Sequence, residues 1–148
     1  MEAARRAAAE ELPRLVELTE SARRELTGQR GGAQLAEEAC GGATGLDDYV
    51  TGKGRSLWAG TLDDVVVGVA AVSVGRGDRG RFDLLYVEPG ARDVGVGAAL
   101  LEAGVGWLGQ QGCGGVDVPA LPGGRVVKQF LESEGLVARL IVMHRSIP

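Results

Sequence analysis

Two glycines at the start of a helical pattern are the residues of this sequence best suited to chemistry. Gly95 and Gly97 follow a short loop that leaves a strand-like segment ending at Val87. The amino end of a helix carries unpaired N–H groups and a partial positive charge, so it attracts phosphate. Because glycine has no Cβ, an anion can come close to the backbone at both positions. The pattern predicts a phosphate or pyrophosphate cradle, with a glycine-rich turn before a packed helix as the alternative.

Two better-known phosphate motifs do not match this loop. A dinucleotide-binding GxGxxG motif requires a third glycine, and Leu100 stands at that position. A P-loop requires Gly-Lys followed by serine or threonine, whereas the pair Gly52-Lys53 is followed by Gly54. Neither a dinucleotide fold nor a P-loop fold is therefore expected.

The periodicity of apolar residues predicts the elements that position the loop. Apolar steps of three and four residues favour helices over 11–26, 33–40, 97–108 and 125–134. Runs rich in β-branched residues and bounded by turns favour strands over 56–62, 65–74, 81–87, 116–121 and 136–147. A further strand before the first helix would complete the order β–α–α–β–β–β–α–β–α–β, with an antiparallel meander in the middle. We therefore expect an α/β fold of the α+β type.

Composition and charge narrow the class of protein. The 148 residues are 45% hydrophobic and 24% charged, which is typical of one folded domain spanning residues 1–148. The net charge of −4 argues against a nucleic-acid partner, because such domains are usually basic. No apolar run approaches the roughly 18 residues of a membrane span, and no secretion signal is expected. Two cysteines and one histidine predict neither a disulfide framework nor a metal centre, and we expect a cytoplasmic protein.

Residues 87–101 resemble a known family signature. Their pattern, Val-x-Pro-x-x-Arg-x-x-Gly-x-Gly-x-x-Leu-Leu, looks like the coenzyme A motif of the GNAT superfamily of N-acetyltransferases, and the order of elements agrees over nearly the whole chain. The resemblance implies a mixed, mostly antiparallel central sheet flanked by helices. It also implies that the sheet splays between the strands near 81–87 and 116–121, where Pro119 cannot donate to a ladder.

The resemblance further implies acetyl-CoA as cosubstrate, no metal, and an amine acceptor. In that family, backbone amides of the motif hold the CoA pyrophosphate, and the preceding strand pairs with the pantetheine arm. The matching positions here are Leu85, Tyr86, Val87, Arg92, Asp93, Val94, Gly95, Val96, Gly97 and Ala98. The Arg92 side chain either adds a charged contact or is a solvated loop arginine.

The match is weaker for catalysis. Many members of the family carry a tyrosine on the last helix that protonates the departing thiolate. With Phe130, Glu132 and Gly135 aligned to that pattern, Leu131 stands where the tyrosine belongs. The usual general acid is therefore missing from this chain.

Asp83 is the candidate general base on the strand that precedes the motif. A period of two residues predicts that Asp83 shares a strand face with Leu85 and Val87, while Tyr86 lies on the opposite face. The alternative is an ion pair with a neighbouring arginine, at position 79 or 81, or simple exposure. We assign the other reactive side chains to packing or to the surface: Tyr49, Cys113 and His144.

The sequence leaves three functions open. The first is an acetyl-CoA-dependent N-acetyltransferase that transfers acetyl directly to a primary amine of a small molecule or protein. The second is a non-catalytic acyl-CoA sensor or regulatory partner, suggested by Leu131. The third is an interaction module that has lost the cofactor.

Acidic residues between 37 and 48 would attract a cationic amine if they are more than a solvated face. An exposed sheet edge near the end of the sequence makes a homodimer a further expectation.

Overall fold

One sheet organises the part of the chain that our computed structural model describes, residues 1–38 and 45–148. Its strands are β1 (Glu2–Arg6), β2 (Arg55–Leu62), β3 (Val65–Val74), β4 (Arg79–Val87) and β5 (Gly115–Asp117), in the spatial order β1-β2-β3-β4-β5. The first four strands are antiparallel to their neighbours, and β5 runs parallel to β4. The predicted meander and the mostly antiparallel sheet are confirmed.

Helices cover both faces of this sheet. They are α1 (Leu12–Thr27), α2 (Gly32–Glu38), α3 (Asp47–Thr51), α4 (Val96–Gln110) and α5 (Arg125–Ser133). One apolar cluster joins α1 and α3 to the sheet through Leu18, Tyr49 and Leu84. A second cluster joins α4 to the opposite face through Phe82 and Leu100. The expected fold class, an α+β sheet with flanking helices, is confirmed.

Helix α1 shows why the periodicity predicted its position. Leu15, Leu18 and Ala22 recur at steps of three and four, and all three are buried against the sheet. Pro13 stands in the first turn, where its missing N–H removes no helical hydrogen bond. The predicted helix over 11–26 is observed within one residue at each end.

Glycine brings α4 very close to the sheet. The side-chain side of Gly104 faces the ring of Phe82, and a Cβ built on Gly104 would overlap that ring. Gly60 on β2 likewise faces Val96 and Leu100 of the helix. Because α4 lies this close to the strands, its amino end is fixed beside the end of β4.

Two predicted elements differ in the structure. The strand expected over 116–121 is only three residues long, and Pro119 lies just beyond it. The strand expected over 136–147 does not form, because a strand requires a hydrogen-bonded neighbour and none of the described strands lies beside this segment. Its apolar, β-branched sequence favoured an extended chain but supplied no partner.

Two smaller observations complete the comparison with the sequence. The helix predicted over 33–40 is observed as α2, and Cys40 and the Gly41-Gly42 pair that would end it lie outside the described residues. Among residues 1–38 and 45–148, no helix combines the length and apolar character needed to cross a bilayer.

We expect Gly104→Ala to lower the free energy of unfolding by about 1–3 kcal/mol, because the added methyl overpacks the contact with Phe82. Gly106→Ala is the matched control, since open space surrounds that position on the same helix. The control should raise stability by up to about 1 kcal/mol through helix propensity. Urea denaturation of both variants measures the difference, and equal effects would contradict the close approach.

Candidate functional site

A tight loop carries the chain from β4 into α4. After Val87 the chain makes one short turn over Pro89–Ala91, and α4 begins at Val96. Asp93 and Gly95 adopt left-handed backbone conformations, with φ of 66° and 93°. Glycine tolerates that conformation at no steric cost, so Gly95 is the residue that lets the helix begin here.

The start of α4 presents unpaired donors. The N–H groups from Asp93 to Ala98 donate no hydrogen bond to any residue the structure describes, whereas the next N–H, of Ala99, donates to the Gly95 carbonyl at 3.0 Å. No acidic residue stands in the first turn of the helix. Free N–H groups together with the positive end of a helix dipole can hold an anion. The loop therefore has the free donors on which the prediction of a phosphate cradle depends, and the cradle itself stays a prediction.

Gly95 and Gly97 have different neighbours on the side where a Cβ would lie. At Gly95 an added Cβ would lie 3.1 Å from Cγ of Glu2. At Gly97 it would lie 3.4 Å from the ring of Phe130, so α5 packs directly against the first turn of α4. We expected both glycines to keep the backbone open to an anion, but at Gly97 the ring of Phe130 covers the side-chain direction.

Arg92 is held within its own chain. Its Nε donates to the Val87 carbonyl at 2.7 Å, and its guanidinium pairs with Glu25 of α1 at 2.9 Å. The same guanidinium lies 5.4 Å from the centre of the Tyr86 ring. Arg92 therefore connects the end of β4 to α1. Burial and the nearby Glu25 carboxylate raise the pKa of Tyr86, so its hydroxyl stays protonated at neutral pH.

The edge of β4 that faces β5 is open beyond its first three residues. The two strands pair only where Arg79–Arg81 meets Gly115–Asp117, so the predicted splay is present. The N–H of Glu88 donates to the Val67 carbonyl on the other side of β4. Because backbone groups alternate along a strand, Leu85 and Val87 direct theirs toward the open side.

A groove of about 110 Å³ lies at this splay. Residues from α1, α2, β4, the segment that follows β5, and α5 line it, among them Leu26, Asp83, Leu85, Pro119 and Val127. The sequence-predicted residues are arranged around its β4 side and the following loop. Tyr86 and Val96 are buried; Leu85, Val87, Gly97 and Ala98 are half-buried; Arg92, Asp93, Val94 and Gly95 are exposed.

A β-bulge places Asp83 on a face that the sequence did not predict. Ala71 pairs with Leu84 while the next residue of β3, Val72, pairs with Phe82, so Asp83 is an extra residue in β4. Asp83 contacts Tyr49, which packs in the same cluster as Leu84 and Tyr86. The prediction that Asp83 shares a face with Leu85 and Val87, opposite Tyr86, was therefore wrong, because a bulge shifts the alternation by one residue.

Two side chains hold the Asp83 carboxylate. The Tyr49 hydroxyl donates to Oδ2 at 2.7 Å, and Arg81 Nε donates to Oδ1 at 3.1 Å. The Asp83 side chain is 13% exposed, so it still reaches the groove that it lines. The ion pair with Arg81, the alternative considered for Asp83, is therefore confirmed. Tyr49 is buried, whereas the sequence assigned it to packing or to the surface. Its bond to Asp83 was not predicted, because no local pattern links residues 34 positions apart.

The remaining candidates contribute no reactive group to the groove. Leu131 is buried on α5, where it provides no hydroxyl. Cys113 is a free, partly buried thiol, and His144 is exposed in the segment after α5. Within the described ranges of the chain, no group of three or more metal-ligating side chains comes together.

Residues 15–121 match the family model described as the acetyltransferase (GNAT) family. The chain belongs to this family, and the resemblance that the motif suggested is confirmed. The expectation of an acyltransferase is confirmed at the level of the family. No curated protein matched the sequence.

Solved structures share the fold over nearly the whole chain. The aminoglycoside N-acetyltransferase AAC(6')-Iy, in complex with a CoA bisubstrate analogue, has a TM-score of 0.72 at 17% identity, covering 100% of this chain and 99% of that one. An acetyltransferase from Clostridium acetobutylicum with acetyl-CoA has a TM-score of 0.69 at 14% identity, covering 99% and 96%. A transcriptional regulator from Bacillus halodurans C-125 reaches 0.72 at 15% identity, covering 99% and 100%.

We expect Tyr49→Phe to lower the free energy of unfolding by about 1–3 kcal/mol, because it leaves one oxygen of a nearly buried carboxylate without its donor. A double-mutant cycle with Asp83→Ala separates this hydrogen bond from simple packing loss. The double variant should be more stable than the sum of the single losses predicts, by about 0.5–3 kcal/mol in urea denaturation. Strict additivity would show that the two side chains are not coupled.

Proposed function

We propose that this chain is an acetyl-CoA-dependent N-acetyltransferase that transfers an acetyl group directly to a primary amine. The single observation that carries the proposal is the row of unpaired N–H groups from Asp93 to Ala98, placed beside the open edge of β4. Residues 1–148 would act as one acyl-CoA-binding domain. A cytoplasmic location belongs to the same proposal and agrees with the free thiol of Cys113.

The residues present fit coenzyme A. The amides of Asp93–Ala98 would hold the pyrophosphate, since they are free and lie at the positive end of α4. The backbone of Leu85 and the N–H of Val87 would pair with the amides of the pantetheine arm, as an added strand does, while the Val87 carbonyl accepts from Arg92. When bound, acetyl-CoA supplies an acyl group activated as a thioester. Two similar structures contain CoA or acetyl-CoA, which supports this ligand.

In this proposal Arg92 stabilises the loop of the site and does not itself bind phosphate. Its guanidinium already pairs with Glu25 and with the Val87 carbonyl, and both contacts stabilise the turn between β4 and α4. A ligand would have to replace the Glu25 carboxylate to recruit the arginine. In this proposal the backbone therefore supplies the main recognition of pyrophosphate.

Asp83 would accept the proton from the amine, either directly or through a water. Only a neutral amine is nucleophilic, so an ammonium acceptor must lose a proton before its nitrogen bonds the acyl carbon. Tyr49 and Arg81 fix the orientation of the carboxylate, and each of its oxygens retains lone pairs for a further hydrogen bond. With Leu131 in place of tyrosine, the proton that the nitrogen loses as the amide forms would reach the departing thiolate through water.

The acceptor would be a cationic amine. Asp83 lies in the groove. Glu37, Asp47 and Asp48 add negative charge in the preceding segments. The similar structures include aminoglycoside acetyltransferases, which supports a small polyamine acceptor over a protein amino group.

Calorimetric titration with acetyl-CoA tests the cradle. Val94 is exposed in the loop, so Val94→Glu should leave the fold intact and place a carboxylate beside the pyrophosphate. We expect this charge to weaken binding about tenfold or more, equivalent to about 1.4 kcal/mol. Val94→Gln is the matched neutral control and should bind like the wild type. No binding by the wild type at millimolar acetyl-CoA would reject the proposed function.

Acetylation of a panel of aminoglycosides and simple diamines tests the role of Asp83. We expect Asp83→Asn to lower kcat/KM by roughly 10²–10⁴-fold and to remove the acidic limb of the pH–rate profile. Asp64→Asn makes the same chemical change in an exposed turn and should leave both unchanged. Full activity in the Asp83→Asn variant would assign the proton transfer to water alone.

A non-catalytic acyl-CoA sensor is the second candidate function. Leu131, buried where the family's tyrosine belongs, is the observation that favours it. This alternative predicts the same acetyl-CoA binding and the same loss in Val94→Glu, but no transfer to any amine of the panel. Turnover of one amine above the uncatalysed rate would rule it out.

A further inference from the structure

The groove that contains Asp83 is apolar along most of its lining. Leucine, valine, proline, alanine and phenylalanine supply most of the residues that form it. Among the lining residues that the structure describes, only Asp83 and Gln29 carry a polar side chain. A site of this composition holds a ligand mainly by burying its apolar surface, while the few polar groups fix its orientation.

One wall of the groove lies on the same side of the sheet as the Asp83 carboxylate. The bulge in β4 directs Asp83 to Tyr49, which belongs to the apolar cluster that joins α1 to the sheet. Leu26 of α1 and Leu35 of α2 line the groove, and both are half-buried. A molecule whose nitrogen meets the Asp83 carboxylate can therefore place its carbon skeleton against these two leucines.

The proposed cofactor contacts lie elsewhere along β4. They involve the backbone of Leu85 and Val87 and the loop Asp93–Ala98, all of which follow Asp83 in the chain. The side chains of Leu85 and Val87 belong to the cluster on the α4 side of the sheet. The wall from α1 and α2, on the opposite side, is therefore left for the acceptor.

The groove is narrow. Its volume of about 110 Å³ is below the roughly 300–1,000 Å³ of pockets that enclose drug-sized ligands. In the turn between α1 and α2, a Cβ built on Gly31 would lie 3.6 Å from the Leu121 side chain on the opposite wall. Gln29 of the same turn comes similarly close to Gly124, where a built Cβ would lie 3.8 Å from its Oε1. The groove therefore admits a slender stem and excludes a ring system with several substituents.

The polar groups of the lining match a single ammonium group. The Asp83 carboxylate carries the negative charge, and its remaining lone pairs can accept from an ammonium. A hydroxyl-rich acceptor would bring many further donors and acceptors, for which this lining offers only the Gln29 amide. Each buried polar group without a partner weakens binding, whereas an alkyl stem brings no such group.

We propose that the acceptor is a primary amine carried on an unbranched apolar stem, such as an alkylamine. Its ammonium group meets Asp83, and its methylene groups pack on Leu26 and Leu35 with Leu121 on the opposite wall. An aliphatic diamine qualifies when its spacer is long enough to leave the second ammonium group outside the groove. This inference rests on the proposed function and narrows the class of amine that the site accepts.

Steady-state acetylation of the unbranched amines from propylamine to hexylamine tests the stem, since these amines differ in length and hardly in basicity. We expect kcat/KM to rise about fourfold with each methylene, equivalent to about 0.8 kcal/mol, and aminoglycosides to be poorer acceptors than hexylamine. Leu35→Asn should flatten this dependence, because an amide then lies against the stem. Leu140→Asn makes the same change at a position that is 83% exposed and outside the groove lining, and should keep the wild-type slope. Rates independent of stem length, or a preference for an aminoglycoside, would overturn the proposal.

An NMR titration of the same amines without acetyl-CoA distinguishes this inference from the proposed acetyl transfer. Hexylamine should bind more tightly than propylamine by about fourfold per methylene, with shifts at the amides of Leu35 and Asp83. Leu35→Asn should remove most of this difference in affinity. Amines that bind in this order but are not acetylated would support the selectivity of the groove and reject acetyl transfer alone. Equal affinity for the two amines, or shifts confined to other surfaces, would overturn the inference whether or not the chain is an acetyltransferase.

Discussion

The separation of β4 from β5 is the constraint on which the rest of this molecule depends. The two strands pair over three residues and then diverge, so the backbone of β4 keeps unpaired polar groups along the groove. Unpaired backbone groups inside a protein are costly unless a ligand or water meets them. The same short pairing leaves β5 as a brief strand at the edge of the sheet in the described part of the chain. The candidate cofactor site follows from this one feature.

The groove is a candidate cofactor site because α4 begins beside it and presents its unpaired N–H groups there. Gly104 allows the helix to lie against Phe82, and this close packing holds the amino end of α4 at the end of β4. A helix N-terminus attracts anions only over its first turn, so a shift of one turn would separate the donors from the open strand. Phe130 packs on Gly97 and brings α5 to the same place. The packing of α4 against the sheet therefore decides where its unpaired N–H groups and the positive end of its dipole lie.

The bulge in β4 shows where strand patterns cease to predict positions. Alternation assigns each side chain to a face only while the pairing register is continuous. Here one extra residue sends Asp83 toward Tyr49, and the buried tyrosine hydroxyl then fixes the carboxylate. No propensity or spacing in the sequence marks that bulge, because it arises from pairing with β3.

By itself the sequence determined four of the five described helices, the meander, the fold class and the loop from Arg92 to Ala98, because each depends on short-range periodicity or on neighbouring residues. It did not indicate α3 (Asp47–Thr51). Only the tertiary structure decided which face Asp83 occupies, that Arg92 pairs with Glu25, and that the Tyr49 hydroxyl donates to Asp83. These contacts join residues far apart in the chain. The 137–147 segment follows the same rule: its residues favour an extended chain, but a strand exists only where another strand offers hydrogen bonds.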